Sequence, residues 1–271
     1  MNNPFLPKPA RITEIREETP NIKTFVLLPE EEFSFAAGQF AALTVPGVGE
    51  GFFTPSSSPF QKDFLEFTIM KVGRVTNALF ARKEGEILGL RGPFGKPYPL
   101  EKFVGKEIFI VGGGVGLAPL RSLFLALTAE IEKYKKVYLR YGARTPKDLV
   151  YKKELKEWQD YKKCDLLLTV DVGDSTWKGR VGVVTTILDK IPCDVNNSVS
   201  VVCGPPIMMK FVTKRLLEAG FHPDSIYLSM EKNMSCAVGM CGHCRLGRFF
   251  ICQDGPVFTW EQIKDLEDPF V

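Results

Sequence analysis

Cys236, Cys241, Cys244 and Cys252 crowd into one run, SCAVGMCGHCRLGRFFICQDG, with the spacing C-x4-C-x2-C-x7-C. This crowding constrains the fold more than any other feature, because thiols this close cannot all be ordinary core residues. The first three have the spacing of plant-type [2Fe–2S] ligands. Structural zinc is a second reading, although zinc ribbons usually show two C-x2-C knuckles and this run has one. Disulfides are a third, and they belong to oxidising compartments. The start, MNNPFLPKPARITEI, lacks a basic stretch followed by an apolar one, so no signal peptide and a cytoplasmic chain are expected. His243 lies between Cys241 and Cys244, but a Rieske centre needs two histidines, and His222 precedes the run. Cys164 and Cys193 carry no motif and read as structural thiols.

A segment this short and rich in Gly and Cys cannot build a core, so the rest of the chain must carry it and a metal must staple it. With 271 residues, 45% of them hydrophobic, the chain is long enough for two further domains. A net charge of +3 argues against nucleic acid and against a polybasic membrane anchor. No run of about 18 apolar residues exists, so no membrane span is expected.

Residues 1–102 read as β-rich. Apolar stretches at Lys23–Leu28, Phe40–Val45 and Leu65–Met70 alternate with Gly, Pro and Ser, which suggests a small antiparallel barrel. Val75–Lys83 reads as a short helix within it. Residues 103–228 alternate strands and helices, implying βαβ units and a parallel sheet. The expected strands are Ile108–Val111, Val137–Tyr141, Leu166–Val170, Val199–Cys203 and, last, Ile226–Ser229. One helix carries Leu120, Leu123, Phe124, Leu127 and Ile131; others are expected at Leu149–Trp158, Val181–Lys190 and Met208–Ala219. Residues 229–271 hold the cysteines.

The strand at Ile108–Val111 runs into Gly112-Gly113-Gly114-Val115-Gly116-Leu117-Ala118-Pro119 and then a helix. Glycines let a backbone approach a phosphate, and a helix N-terminus offers it N–H groups. The match to G-x-G-x-x-G is imperfect, and a tight strand–helix turn reads the same stretch. Tyr141-Gly142-Ala143-Arg144 and Cys203-Gly204-Pro205-Pro206-Ile207-Met208 end later strands. Loops at the C-terminal ends of one open sheet are where such folds bind ligands. Arg144, where NAD-binding folds often place an acid, suits a 2′-phosphate or is simply a solvated charge.

Barrel, GGG-x-G-x-AP, CGPP and cysteine run, in this order, resemble the ferredoxin–NADP reductase superfamily. Within it the chain is similar to flavin-bearing electron-transfer subunits: the gamma subunit of cytoplasmic sulfhydrogenase-type hydrogenases, and the corresponding electron-transfer subunit of anaerobic sulfite reductase. The small subunit of ferredoxin-dependent transhydrogenase and the electron-transfer subunit of dihydroorotate dehydrogenase are related alternatives. The resemblance implies FAD on the barrel. Its first flavin motif matches Gly51-Phe52-Phe53-Thr54, with Phe53 along the flavin, Thr54 near N5, and Ser57 just beyond; the family arginine is replaced by Gly51. Its second matches Gly73-Arg74-Val75-Thr76, which would hold the pyrophosphate, with Ile69 and Lys71 beside it. Arg74 is expected to supply the missing charge. The resemblance further implies NAD(P)(H) at Gly112, Gly113, Gly114, Gly116, Ala118, Pro119 and Arg144, with Cys203, Gly204, Pro205 and Met208 near the nicotinamide. It makes Cys236, Cys241, Cys244 and Cys252 the ligands of a [2Fe–2S] cluster.

The expected whole is a β-barrel plus α/β flavoprotein passing electrons between NAD(P)H, FAD and a [2Fe–2S] cluster. No Ser-His-Asp or Cys-His set is evident, and hydride transfer to flavin needs no protein acid or base. No nickel, sirohaem or substrate domain follows the cysteines, so a partner redox subunit in a hetero-oligomer is expected at the cluster. An expectation of another class is a zinc-containing nucleotide-sensing or assembly subunit without redox turnover.

Overall fold

A computed structural model describes residues 3–270; Met1, Asn2 and Val271, at the outer limits of the first and last expected domains, lie outside the described residues. The first sheet is antiparallel and six-stranded, with strands β1 (Lys8–Thr19), β2 (Ile22–Pro29), β3 (Phe40–Val45), β4 (Gly49–Phe53), β5 (Leu65–Met70) and β6 (Ile87–Phe94) in the order β4-β3-β6-β1-β2-β5. Alternation buries one face of each strand: Ile12, Phe25, Leu27, Leu43, Phe67 and Leu88 fill the interior. Helix α1 (Arg74–Phe80) packs on β4.

The second sheet opens with β7 (Glu107–Gly113), α2 (Leu117–Ala129) and β8 (Lys136–Ala143). It continues through α3 (Lys152–Trp158), β9 (Cys164–Val170), β10 (Arg180–Val181), β11 (Ser198–Cys203), α4 (Pro206–Glu218) and β12 (Ile226–Ser229). After these come β13 (Arg245–Leu246), β14 (Phe249–Phe250), α5 (Ile251–Asp254), β15 (Val257–Thr259) and α6 (Trp260–Ile263). Strand order is β10-β9-β8-β7-β11-β12-β15. The chain therefore reverses its direction of travel between β7 and β11, and a crevice opens at the carboxyl ends of those two strands.

Three expectations change. Val181–Lys190 is not a helix. Val184, Ile187 and Leu188 keep helical spacing and are buried, but Gly182 takes φ +139° and only a short 3₁₀ turn, Val184–Ile187, follows. The helix expected from Leu149 begins at Lys152, because Tyr151 adopts φ 56° ahead of it. Ile226–Ser229 is not the last strand: β15 pairs antiparallel with β12, Tyr227 opposite Thr259. The cysteine segment thus joins the second sheet. It also shares a core with its neighbours, where Ile251, Phe258 and Ile263 are fully buried among Phe109, Val111, Val202 and Leu228. Each such side chain contributes ~1.5–3 kcal/mol, so packing as well as metal staples the segment.

Candidate cofactor relay

The nucleotide crevice is built from two loops that nearly touch. Gly112 and Gly113 close β7, Gly114–Gly116 form a 3₁₀ turn, and Ala118 and Pro119 lie in the first turn of α2. Cys203 ends β11 directly opposite Gly112. A Cβ added to Gly116 would lie 2.6 Å from the Cys203 carbonyl oxygen, so only glycine permits this approach. Gly113, Gly204, Pro205 and Met208 meet in the same place. Tyr141, which carried no functional expectation, braces the turn: its hydroxyl donates to the Gly114 carbonyl at 3.1 Å. Cys203 is buried, and that burial pushes its thiol up to about 12, against a hydrogen bond with Ser229 that lowers it. It therefore stays protonated at neutral pH. Arg144 is exposed at the end of β8 and makes no ion pair among the described residues.

The flavin face lies along β4 and α1. Alternation along β4 sends Phe53 toward the barrel core and α1, and Phe52 with Glu50 to the opposite side. A Cβ at Gly51 would stand 2.6 Å from the Phe53 ring, so a larger residue there requires that ring to move. Thr76 shapes the α1 entry: its hydroxyl accepts from the Val72 and Gly73 N–H groups at 2.9 and 2.8 Å. The next N–H groups, of Arg74 and Val75, have no partner within a helix and open outward beside the exposed Lys71, Gly73 and Arg74. Space beside Gly73 is open, and this cradle fits a pyrophosphate. Thr54 is half-buried past the end of β4. Ser57 is buried with its hydroxyl accepting from Glu66 N at 3.2 Å, and Ile69 sits in the barrel core at 1% exposure. The Ile69 side chain is taken up by the core, which leaves its backbone for a cofactor.

The four cysteines come together in the order that the chain presents them. Cys236 hydrogen-bonds with Cys241, and Cys244 lies 3.3 Å from Cys252 between sulfurs. Among the described residues no three such ligands close on a single ion. Two pairs of thiols instead suit a two-iron cluster with four cysteine ligands. Amides already point at the sulfurs: Val238, Met240 and Cys241 donate to Cys236 Sγ at 3.3–3.4 Å, and Gly239 to Cys252 Sγ at 3.2 Å. Burial raises Cys236, but these amide donors outweigh it and bring the thiol down to about 7. At Cys236 that is the donor set a thiolate ligand requires; at Cys252 burial and the adjacent Cys244 push the thiol up to about 12 against the single Gly239 amide. Gly239 adopts φ +74°, and a Cβ there would strike Gln253 at 2.6 Å. His243 turns to Ser235, Nδ1 to Oγ 2.7 Å.

Family profiles match all three regions: an oxidoreductase FAD-binding domain over residues 9–98, an oxidoreductase NAD-binding domain over 110–214, and the iron–sulfur cluster binding domain of dihydroorotate dehydrogenase B over 231–264. The sulfhydrogenase 2 gamma subunit of Pyrococcus furiosus is 36% identical over 97% of this chain and 98% of its own length. The chain belongs to the ferredoxin–NADP reductase superfamily. Among its relatives, a probable dihydroorotate dehydrogenase B electron-transfer subunit of the same organism is 33% identical over 94% of this chain and 92% of its own. A solved chain of the NADH-dependent reduced ferredoxin–NADP oxidoreductase, described for flavin-based electron bifurcation, superposes with TM-score 0.74 at 28% identity, covering 98% of this chain and 93% of that one. This member of the superfamily is an NAD(P)H–flavin oxidoreductase subunit with FAD, NAD(P) and iron–sulfur cluster sites. No helix among the described residues is long and apolar enough to cross a membrane.

Two long-range contacts escaped sequence reasoning. Arg121 of α2 donates to the Ser56 carbonyl at 2.7 Å, pairs with Glu66, and forks onto Glu154 at 2.8 and 3.0 Å. Arg91 of β6 forks onto Glu50 at 2.8 and 2.6 Å. Its remaining nitrogen donates to the Cys236 carbonyl at 3.0 Å. The one available signal was an arginine inside an otherwise apolar strand or helix.

Proposed function

We propose that this chain is the nicotinamide-linked, electron-carrying subunit of a larger redox complex of the hydrogenase-gamma type. The observation that carries the reading is the gathering of four cysteines, two of their sulfurs 3.3 Å apart, beside a turn that Arg91 of β6 ties to Glu50 of β4. The bound groups supply hydride exchange between nicotinamide and flavin, and one-electron exchange between flavin and cluster. The chain's own residues orient them. The Gly112–Gly116 turn and the Cys203–Met208 loop seat the dinucleotide, Phe53 and Thr54 with Gly73–Thr76 seat the flavin, and the four cysteines seat the cluster. The domain limits 1–102, 103–228 and 229–271 belong to the same reading, as does a cytoplasmic, reducing setting, in which seven free cysteines are stable.

The partner docks where the cluster is thinnest-covered. Met240 is 76% exposed, Cys241 is exposed, and Arg245 and Arg248 flank them. A hydrogenase-type partner fits the likeness to gamma subunits, and the match of residues 231–264 to the dihydroorotate dehydrogenase profile favours that enzyme as the second candidate. The unpaired Arg144 supports NADP(H) over NAD(H).

Anaerobic purification tests the reading. The protein should be brown-yellow, contain iron and sulfide in equal amounts, and bleach with NADPH or NADH. A colourless protein holding one zinc would replace it with a nucleotide-sensing subunit. Met240→Glu should weaken capture of co-purifying subunits without altering the spectrum; unchanged capture would move the docking face elsewhere.

A further inference from the structure

Arg91 is 5% exposed, and all of its nitrogens are engaged. Nε and one terminal nitrogen fork onto Glu50, whose carboxylate is also held by Thr44 Oγ1 at 2.7 Å. The other terminal nitrogen donates to Cys236 O at 3.0 Å and Pro4 O at 3.3 Å. The rings of Phe52 and Phe94 lie 5.7 and 5.2 Å from the guanidinium carbon. A planar fork held this way has one orientation. What it grips is strained: the next residue, Ala237, is buried and adopts φ 63°, unusual for a residue with a Cβ. The Cys236 carbonyl is thus fixed at the entry of the turn whose amides point at Cys236 Sγ. The pair is also polarised. Glu50 of β4 takes the Nε side of the guanidinium, and the other terminal nitrogen points to the Cys236 carbonyl.

We propose that Arg91 is a positioning residue for the cluster, and that the Arg91–Glu50 pair, positive end toward Cys236, holds the cluster's reduction potential up while fastening its first ligand to the flavin strand. Net charge and hydrogen bonding are what set iron–sulfur potentials. This rests on the [2Fe–2S] reading of the four cysteines.

The test is a redox titration of the full-length, cluster-loaded protein, followed by the electron paramagnetic resonance of the reduced cluster. Wild type comes first. If it binds zinc instead of iron and sulfide, the cluster reading itself fails, which is a distinct result. With the cluster present, Arg91→Gln should lower the reduced-to-oxidised ratio at a fixed potential about tenfold, a 59 mV shift for one electron. Glu50→Gln removes the opposing charge and should shift the potential the other way. A residue serving only packing would give two shifts of one sign, or none, and either result overturns the proposal. If Arg91→Gln cannot hold the cluster, Glu50→Gln decides: a raised potential supports the proposal, and an unchanged one overturns it.

Discussion

Two buried arginines each cross from one region of the molecule into another, and they hold unlike things. Arg121 reaches from the nucleotide domain into the barrel and is met by Glu66, Glu154 and the Ser56 carbonyl, with Arg16 completing the cluster on the far side of Glu66. Tyr151 stacks beside it, its ring centroid 4.9 Å away, and bonds Thr68 of β5 at 2.6 Å. Every partner there sits on or beside regular structure. Arg91 reaches from the barrel to a turn of irregular backbone, and a single carbonyl is all that it grips in the cysteine segment. The first joint is saturated by protein groups and stands without any cofactor. The second rests on one backbone carbonyl of the turn that carries the first of the four cysteines. The barrel and the second sheet are thus tied side chain to side chain, whereas Arg91 holds the cysteine turn by a backbone carbonyl.

Four measurements bear on that contrast. Arg121→Met should produce the largest effect, because it leaves Glu154 without its partner and buried Glu66 with Arg16 alone: breaking a buried pair costs about 3–5 kcal/mol. Urea unfolding followed by tryptophan fluorescence reads it, and a loss below about 1 kcal/mol would locate the joint's strength in apolar contacts.

Acid should open the same joint more gently. Burial alone would raise Glu66, but Arg121 and Arg16 more than offset it and hold the carboxyl below its ordinary 4.5. A lowered folded value means that its contribution is complete above about pH 4.5 and is lost as pH falls through the folded value. Urea midpoints should drop steeply below about pH 4.5 in wild type and less steeply in Arg121→Met; equal slopes would clear Glu66 of the effect.

Cys244→Ser should abolish iron binding yet act locally. Hydrogen exchange at the amides of Val238–Cys241 should speed up by about tenfold or more, equivalent to about 1.4 kcal/mol, while those of β7 and β11 keep their protection. Loss of protection throughout β7 would mean that the two joints are one.

The smallest effect belongs to Arg74→Ala. An exposed charge contributes up to about 1 kcal/mol, so FAD should bind about fivefold more weakly. Unchanged FAD content would leave the place of the family arginine without a substitute.

Much of this architecture was legible in the sequence because it is local. The Gly-rich turn after β7, the CGPP loop and the C-x4-C-x2-C run each specify a backbone path within a few residues. β1 was not legible: ARITEIREET shows few apolar residues, and register shifts between Ile12 and Glu14 and between Glu17 and Thr19 break its alternation. β15 is three residues long, too short to show a period. Helical spacing at Val184, Ile187 and Leu188 misled, because Gly182 at φ +139° breaks the backbone ahead of them and only the one 3₁₀ turn Val184–Ile187 follows. The two arginine joints showed only as arginines out of place in apolar elements, with no hint of what they touch. Arg91 and Cys236 are 145 residues apart, and nothing local in either stretch names the other.

The pairing of β15 with β12 decides how this protein can be taken apart. Shortening the chain ahead of Val257 would strip the rim of the parallel sheet, leaving a row of backbone amides and the apolar faces of Leu228 and Met230 bare. Bare rims recruit strands from other copies. A version trimmed of its cysteines would tend to clump, so the electron exit cannot be removed as a detachable cassette. It must be silenced residue by residue, with the strand that seals the sheet left in place.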